Sequence, residues 1–277
     1  MAKYHDVRDI LYELVQNRIC KRLPAQRLTD FVGEFNYLHS MIDDIKDSPS
    51  PPSMALIRQL VTEYCIFPLG SELVKQRVEL TRSVLFYGPP GTGKTLVARS
   101  IAHETASMVF DLSPLAIDDT YTEPKGEQKL VASVMKVAKH YQPAVVYIDE
   151  CEKVFPGKKK KKKKKKKGGA GKGGKGKKTS NAPSRIKKTL ITWRKKFLKD
   201  DTRVLIVGCS SEPHEGSKKD MKTFFDKHIF FPHADYSTRR LMWKKFIEDH
   251  GGRLKPNFPL STLAHISVGY SAGSVSP

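Results

Sequence analysis

Apolar residues in the first part of the chain recur at helical spacing. Val7, Ile10, Leu11, Leu14, Val15 and Ile19 form one run, and Leu28, Phe31, Val32, Phe35, Leu38 and Ile42 a second. Together they predict helix over residues 4–46. Ser48-Pro49-Ser50-Pro51-Pro52-Ser53 breaks the period and predicts a linker, and a helix is expected over Met54–Tyr64. From Ser83 the rhythm changes. Val84–Tyr87, Met108–Leu112, Ala144–Ile148, Val204–Cys209 and Ile229–Phe231 are short apolar runs that read as strands. Between and after them, Gly93–Glu104, Gly126–His140, Arg185–Leu198 and Ser237–His250 read as helices. Strands alternating with helices imply an α/β fold with a parallel sheet flanked by helices. The expected division is a helical N-terminal extension (1–50), a core in two parts (51–156 and 183–235), an insertion (157–182) and an incomplete helical lid (236–277).

Charge changes this picture in one place. The 277 residues carry 50 Lys and Arg against 29 Asp and Glu, a formal +21, but 14 of the lysines fall within residues 157–180, where there is no acid. The insertion is therefore very basic and the remainder only mildly so. An unbroken run of ten lysines, Lys158–Lys167, repels itself and cannot form a core, so a disordered, extended segment is expected. Three roles stay open for it: a solvated loop, an electrostatic tether to an acidic polymer, or nuclear targeting and nucleic-acid contact. No recognition helix or stacking platform accompanies the run, which argues against sequence-specific nucleic-acid binding. No stretch approaches the ~18–20 apolar residues of a membrane span. The N-terminus is charged and periodic, unlike a signal peptide. Cys20, Cys65, Cys151 and Cys209 have no CxxC spacing, which argues against a disulfide framework or a zinc site and for a reducing compartment.

The chemistry concentrates in two motifs. Gly88-Pro89-Pro90-Gly91-Thr92-Gly93-Lys94-Thr95 fits GxxxxGK[ST], follows an apolar strand and opens a helix. Its glycines let backbone N–H groups curl towards phosphate oxygens, and the helix N-terminus adds a favourable dipole. Lys94 offers a mobile positive charge to β- and γ-phosphates, and Thr95 a hydroxyl to Mg²⁺. Ala144–Ile148 then delivers Asp149 and Glu150 at a strand's C-terminal end, where open α/β sheets bind ligands. Asp149 is expected to hold Mg²⁺ through water, and Glu150 to orient or deprotonate an attacking water. His140, His228, Cys151, Trp193 and Trp243 read as structural.

With these motifs, the chain resembles the AAA ATPase family over roughly residues 56–277, outside the insertion. Gly126-Glu127-Gln128-Lys129-Leu130-Val131, Ile66-Phe67-Pro68-Leu69 and Gly269-Tyr270-Ser271 are each similar to family motifs. The resemblance implies a P-loop NTPase fold with ATP and Mg²⁺ as cofactors. The segment RQLVTEYCIFPLGSELVKQR and the lysine-rich insertion are similar to one subgroup, the IQ-motif-and-AAA-domain proteins of the axonemal nexin–dynein regulatory complex, although no IQ motif is visible. That subgroup implies a place in the cytoplasm and cytoskeleton, at the cilium or flagellum axoneme. It also implies partners within an axonemal complex, and makes tubulin acidic tails the polymer for Lys158–Lys167.

Departures from the family pattern are equally informative. Ser211 stands where the family places a water-orienting Asn. Lys222, Thr223 and Phe224 precede Phe225-Asp226-Lys227, where trans-acting arginines are expected. Such an arginine is worth ~10³–10⁵ in rate, and lysine lacks its planar fork. Pro124-Lys125 replaces the aromatic of a substrate-gripping loop, with Tyr121 displaced by three positions. Three functions follow: a nucleotide-binding structural subunit with weak or absent hydrolysis, an active ATPase that remodels protein partners, and a nuclear or nucleic-acid AAA protein.

Overall fold

The computed structural model describes residues 6–36, 50–78, 81–117, 121, 123, 125–157, 183–197 and 202–275. Lys158–Lys167, the rest of the insertion to residue 182, Leu38, Ile42 and Leu198 lie outside the described residues. The strands are β1 (Cys20–Lys21), β2 (Ser83–Tyr87), β3 (Met108–Asp111), β4 (Ala144–Ile148), β5 (Val204–Ser210) and β6 (Lys227–Phe230). The helices used below are α1 (Val7–Gln16), α2 (Met54–Val61), α3 (Lys94–Glu104), α4 (Gly126–His140), α5 (Lys187–Phe197), α6 (Lys218–Phe224), α7 (Tyr236–Asp249), α8 (Leu260–Ile266) and α9 (Ala272–Val275). None among the described residues is long and apolar enough to cross a membrane.

The sheet order is β1-β3-β4-β5-β2-β6. Five strands run parallel, as the alternation of elements requires, and β1 adds an antiparallel pair to β3 with Cys20 opposite Phe110. Successive strand residues point to opposite faces, and both faces are covered. Leu85, Phe110, Val146 and Ile206 face one core layer, packed by α1, α4 and α5. Val84, Phe86, Val145, Leu205 and Val207 face the other, packed by α2, α3 and Met242 of α7.

The predicted N-terminal helix is corrected in two places. α1, capped by the Asp6 carboxylate on the Arg8 N–H, ends at Gln16. Arg18 adopts φ +57° and the Ile19 N–H returns to the Leu14 carbonyl, a helix-stopping turn that throws the chain into β1. The second apolar run is not a helix where it is described. Leu28–Asp30 is a single 3₁₀ turn, and the chain continues irregularly to Asn36. Tertiary contact overrides periodicity here: a Cβ on Gly33 would lie 2.3 Å from Met54 Cβ, so the segment lies directly on α2. α2 itself runs on through a wide π turn, Thr62–Ile66, into Phe67–Gly70. The wider turn accommodates Pro68, which has no N–H to give an α-helical ladder.

Candidate phosphate-binding site

β2 and β6 place the glycine-rich loop. A Cβ on Gly88 would sit 2.1 Å from the Phe231 carbonyl oxygen, so only glycine permits the loop to leave the sheet against the chain that follows β6. Gly93 caps α3 at φ +90°, and a Cβ there would meet the Phe31 ring at 2.7 Å. Thr92 Oγ1 donates to the Pro89 carbonyl at 2.9 Å and stiffens the turn. Lys94, largely buried, donates to the Gly88 and Pro89 carbonyls at 2.8 and 2.6 Å. Burial pulls its ammonium below the usual lysine value, opposed by neighbours that include Asp149 and Glu152.

β4 places the acids. The Asp149 N–H donates to Ser113 Oγ at 2.9 Å, and Asp149 Oδ1 accepts from the Glu150 N–H at 2.9 Å. Glu150 takes the left-handed conformation, φ +46° and ψ +49°, which costs a non-glycine residue roughly 1–2 kcal/mol and turns its side chain sharply out of the strand line. Its carboxylate pairs with Lys153 at 2.6 Å. Two residues after Glu150, the buried Glu152 accepts from Ser210 Oγ at 2.6 Å, tying the end of β5 to the acidic turn. Ser211 follows at the cavity rim.

Pro90, Gly91, Gly93, Lys94, Thr95, Asp149, Glu150 and Ser211 line one cavity of about 660 Å³. Gly88, Pro89 and Thr92 form the inner turn that supports it. Its lining is of two kinds: Lys94, Thr95, Asp149, Glu150 and Ser211 are polar, and Phe31, Val32, Leu96, Met242, Phe246 and Ala272 are apolar. Sequence reasoning missed the apolar part of the lining. The spacing of Phe31 and Val32 predicts a helix, whereas they lie beside the phosphate loop, and α9 meets that loop with the Gly273 N–H on the Gly91 carbonyl at 3.3 Å. Asn36 Nδ2 donates to the Asp235 carboxylate that caps α7, so the N-terminal segment and α7 are joined directly.

The donor set suits a magnesium nucleotide. Thr95 and Asp149 supply the hard oxygen ligands that Mg²⁺ prefers. Lys94 is positioned on carbonyls that a phosphate can replace. Lys222, in the position expected of a trans-acting arginine, is exposed on α6. Arg239 of α7 donates to the Ala234 and Ala264 carbonyls at 2.6 and 2.9 Å and joins α7 to α8 instead. Tyr121 lies under Lys129, whose Nζ is 5.4 Å from its ring centre. Cys151 is buried with its thiol on the Ile148 carbonyl, and Trp243 Nε1 of α7 donates to Ser267 Oγ just after α8.

Residues 84–233 match the profile of the ATPase family associated with various cellular activities. The chain belongs to the AAA family. Its curated relatives include dynein regulatory complex protein 11 of Mus musculus, 32% identical over 274 residues, covering 97% of this chain and 30% of that protein. Spastin of Ixodes scapularis is 25% identical over 246 residues, covering 86% of this chain and 35% of that one. The AAA chain therefore spans about a third of these relatives. Among solved structures, the FIGL-1 AAA domain in complex with ADP superposes with a TM-score of 0.67 at 20% identity, covering 99% of this chain and 78% of that one. This likeness confirms the P-loop α/β fold, with the sheet mixed through β1.

Proposed function

We propose that this AAA chain binds ATP with Mg²⁺ in the 660 Å³ cavity and serves as a structural or regulatory subunit of the ciliary or flagellar axoneme, with slow or absent hydrolysis. The observation that carries nucleotide binding is the lining of this one cavity, in which the phosphate loop and two acids are brought together with the apolar side chains of Phe31, Met242 and Phe246. Gly91, Gly93 and Lys94 hold the phosphates, and Thr95 and Asp149 hold the metal. Bound Mg²⁺ would neutralise phosphate charge. Glu150 orients the attacking water, and Ser211 contributes a shorter hydrogen-bonding group than the usual Asn.

Two features support weak turnover. No arginine occupies the Lys222–Phe224 segment, and Glu150 is held by Lys153 at 2.6 Å. The axonemal setting is supported by the similarity to dynein regulatory complex protein 11. Within it, partner subunits and tubulin acidic tails, the latter through Lys158–Lys167, are the proposed contacts. Sequence-specific nucleic acid and membrane are not. The second reading, an active ATPase that remodels protein partners, is favoured by the intact Lys94, Asp149 and Glu150.

A thermal-shift measurement with ATP and Mg²⁺ tests the first part. A ligand that binds only the folded state raises Tm by mass action, and Lys94→Ala should remove that rise. A wild-type chain with no shift at millimolar ATP defeats the nucleotide reading. Single-turnover hydrolysis decides between the two functions, and several turnovers per second would favour remodelling.

A further inference from the structure

Thr95 and Asp149 come from different elements, the start of α3 and the end of β4, and one side chain reaches both. Tyr147 lies two residues before Asp149 on β4, and its partly buried ring packs against the core layer that carries α3. Its hydroxyl donates to Thr95 Oγ1 at 3.5 Å. The Asp149 carboxylate is a second hydrogen-bond acceptor for it, and the Cys209 thiol, buried on β5, also hydrogen-bonds the phenol. Tyr147 is not among the residues that line the cavity. Phenylalanine would fill the same space as the ring. The hydroxyl adds a polar atom away from bulk water, which is unfavourable unless it is bonded. A thiol is a weak partner, so the bonds that matter are those to the two groups proposed to hold the metal.

We propose that Tyr147 is a positioning residue for the metal site, its hydroxyl setting the orientation of Thr95 and Asp149 from behind the cavity lining. The proposal rests on the reading that these two residues hold Mg²⁺, and it names the residue that readies them. A phenol is neutral at ordinary pH, with one O–H to give and two lone pairs to accept with. A threonine hydroxyl that offers a lone pair to a cation must point its own hydrogen elsewhere, and the phenol oxygen is there to accept it. The phenol O–H then turns to the Asp149 carboxylate. Both hydroxyl hydrogens rotate without displacing a heavy atom, so the same three groups can exchange one pattern for the other. At 3.5 Å the bond is long for two hydroxyls and adds little to the stability of the fold. Its worth lies in the direction in which the Thr95 lone pairs point.

The test uses the full 277-residue chain, a fluorescent ADP analogue, and Mg²⁺ or Mn²⁺. Tyr147→Phe removes only the hydroxyl. With EDTA it should bind the analogue within about twofold of wild type, because the phosphate loop is untouched. With Mg²⁺ it should bind about 3- to 10-fold more weakly, the worth of one hydrogen bond. Mn²⁺ titrated into the ADP-saturated chain, followed by electron paramagnetic resonance, should show the same loss of metal affinity. Tyr147→Leu removes the ring as well. It should lower Tm, as loss of a packed side chain does, yet lose no more metal affinity than Tyr147→Phe. Asp149→Asn combined with Tyr147→Phe should lose less than the sum of the single losses, since the two side chains act together. Equal metal affinity in wild type and Tyr147→Phe would overturn the proposal. So would an equal loss with EDTA and with Mg²⁺, which marks a purely structural role, a larger metal loss in Tyr147→Leu than in Tyr147→Phe, or full additivity with Asp149→Asn. Those outcomes leave nucleotide binding by the phosphate loop standing. A wild-type chain that binds the analogue in neither condition, or gains nothing from Mg²⁺, would instead remove the underlying nucleotide or metal reading and this proposal with it.

Discussion

Arg58 holds part of the apolar lining of the cavity in place, and its removal has a calculable effect. From α2 it donates through Nη1 to the Phe31 carbonyl at 2.6 Å and through Nη2 to the Gly33 carbonyl at 2.5 Å. Phe31, only 4% exposed, packs its ring 5.7 Å from that of Phe231 and against Gly93. Hydrogen bonds to charged groups contribute about 1.5–3 kcal/mol each. The guanidinium is half-buried and the freed carbonyls regain water in part, so Arg58→Ala should cost about 2–3 kcal/mol, nearer one bond than two. Because the tie holds a wall of the site, ADP affinity should fall about 5- to 30-fold, equivalent to about 1–2 kcal/mol. Arg58→Lys should recover less than half of the stability, since one ammonium cannot span two carbonyls. Urea denaturation and titration with a fluorescent ADP analogue measure both quantities. An Arg58→Ala chain within about 0.5 kcal/mol of wild type and with unchanged ADP affinity would refute the reasoning, because the 27–36 segment would then be held by other contacts.

Glu150→Gln should keep the ATP-induced Tm shift and lower single-turnover hydrolysis. Lys153→Met should raise hydrolysis by no more than about fivefold, because an exposed ion pair is worth at most about 1 kcal/mol, far below the roughly 4–7 kcal/mol of a missing arginine. A hundredfold rise would make Lys153 the main brake. Burial pushes the thiols of Cys65, Cys151 and Cys209 up, Cys65 to about 12. Their folded values exceed the unfolded value near 8.5, so the stability they contribute is complete below about pH 8.5 and is lost as pH rises towards 12. Urea midpoints should fall above about pH 9, and less steeply in Cys65→Val. Replacing residues 157–180 with a short glycine linker should leave Tm and nucleotide binding unchanged and weaken microtubule binding at ~50 mM salt, as counterion release predicts. Equal binding with and without the segment would leave it a solvated loop.

The strands and the phosphate loop were legible because their signals are local. Val84–Tyr87 is apolar through its length, and the glycines of the loop are dictated by backbone positions that exclude a Cβ, as at Gly88 beside Phe231. Asp149 and Glu150 follow from a strand end. The apolar part of the cavity's lining was not legible, because it depends on tertiary placement: Phe31 and Val32 keep helical spacing in sequence but are held in an irregular segment by Arg58 and by Gly33 against Met54. β1 was missed for a related reason. Cys20 and Lys21 have no strand pattern, and only the turn at Arg18 brings them beside Phe110.

Those two residues have a consequence for the solubility of shortened forms of the chain. Without β1, the outer margin of β3 would present a row of unpaired N–H and C=O groups along Met108–Asp111, a template onto which a foreign strand can add. β1 caps that margin, with the Asp111 N–H on the Ile19 carbonyl at 2.7 Å, and places a cation there as Lys21 pairs with Asp111 at 2.6 Å. A chain starting after residue 27 would retain every group of the phosphate loop and still be prone to polymerise through its sheet. The short strand Cys20–Lys21 thus guards the protein against aggregation, a duty separate from anything its nucleotide chemistry requires.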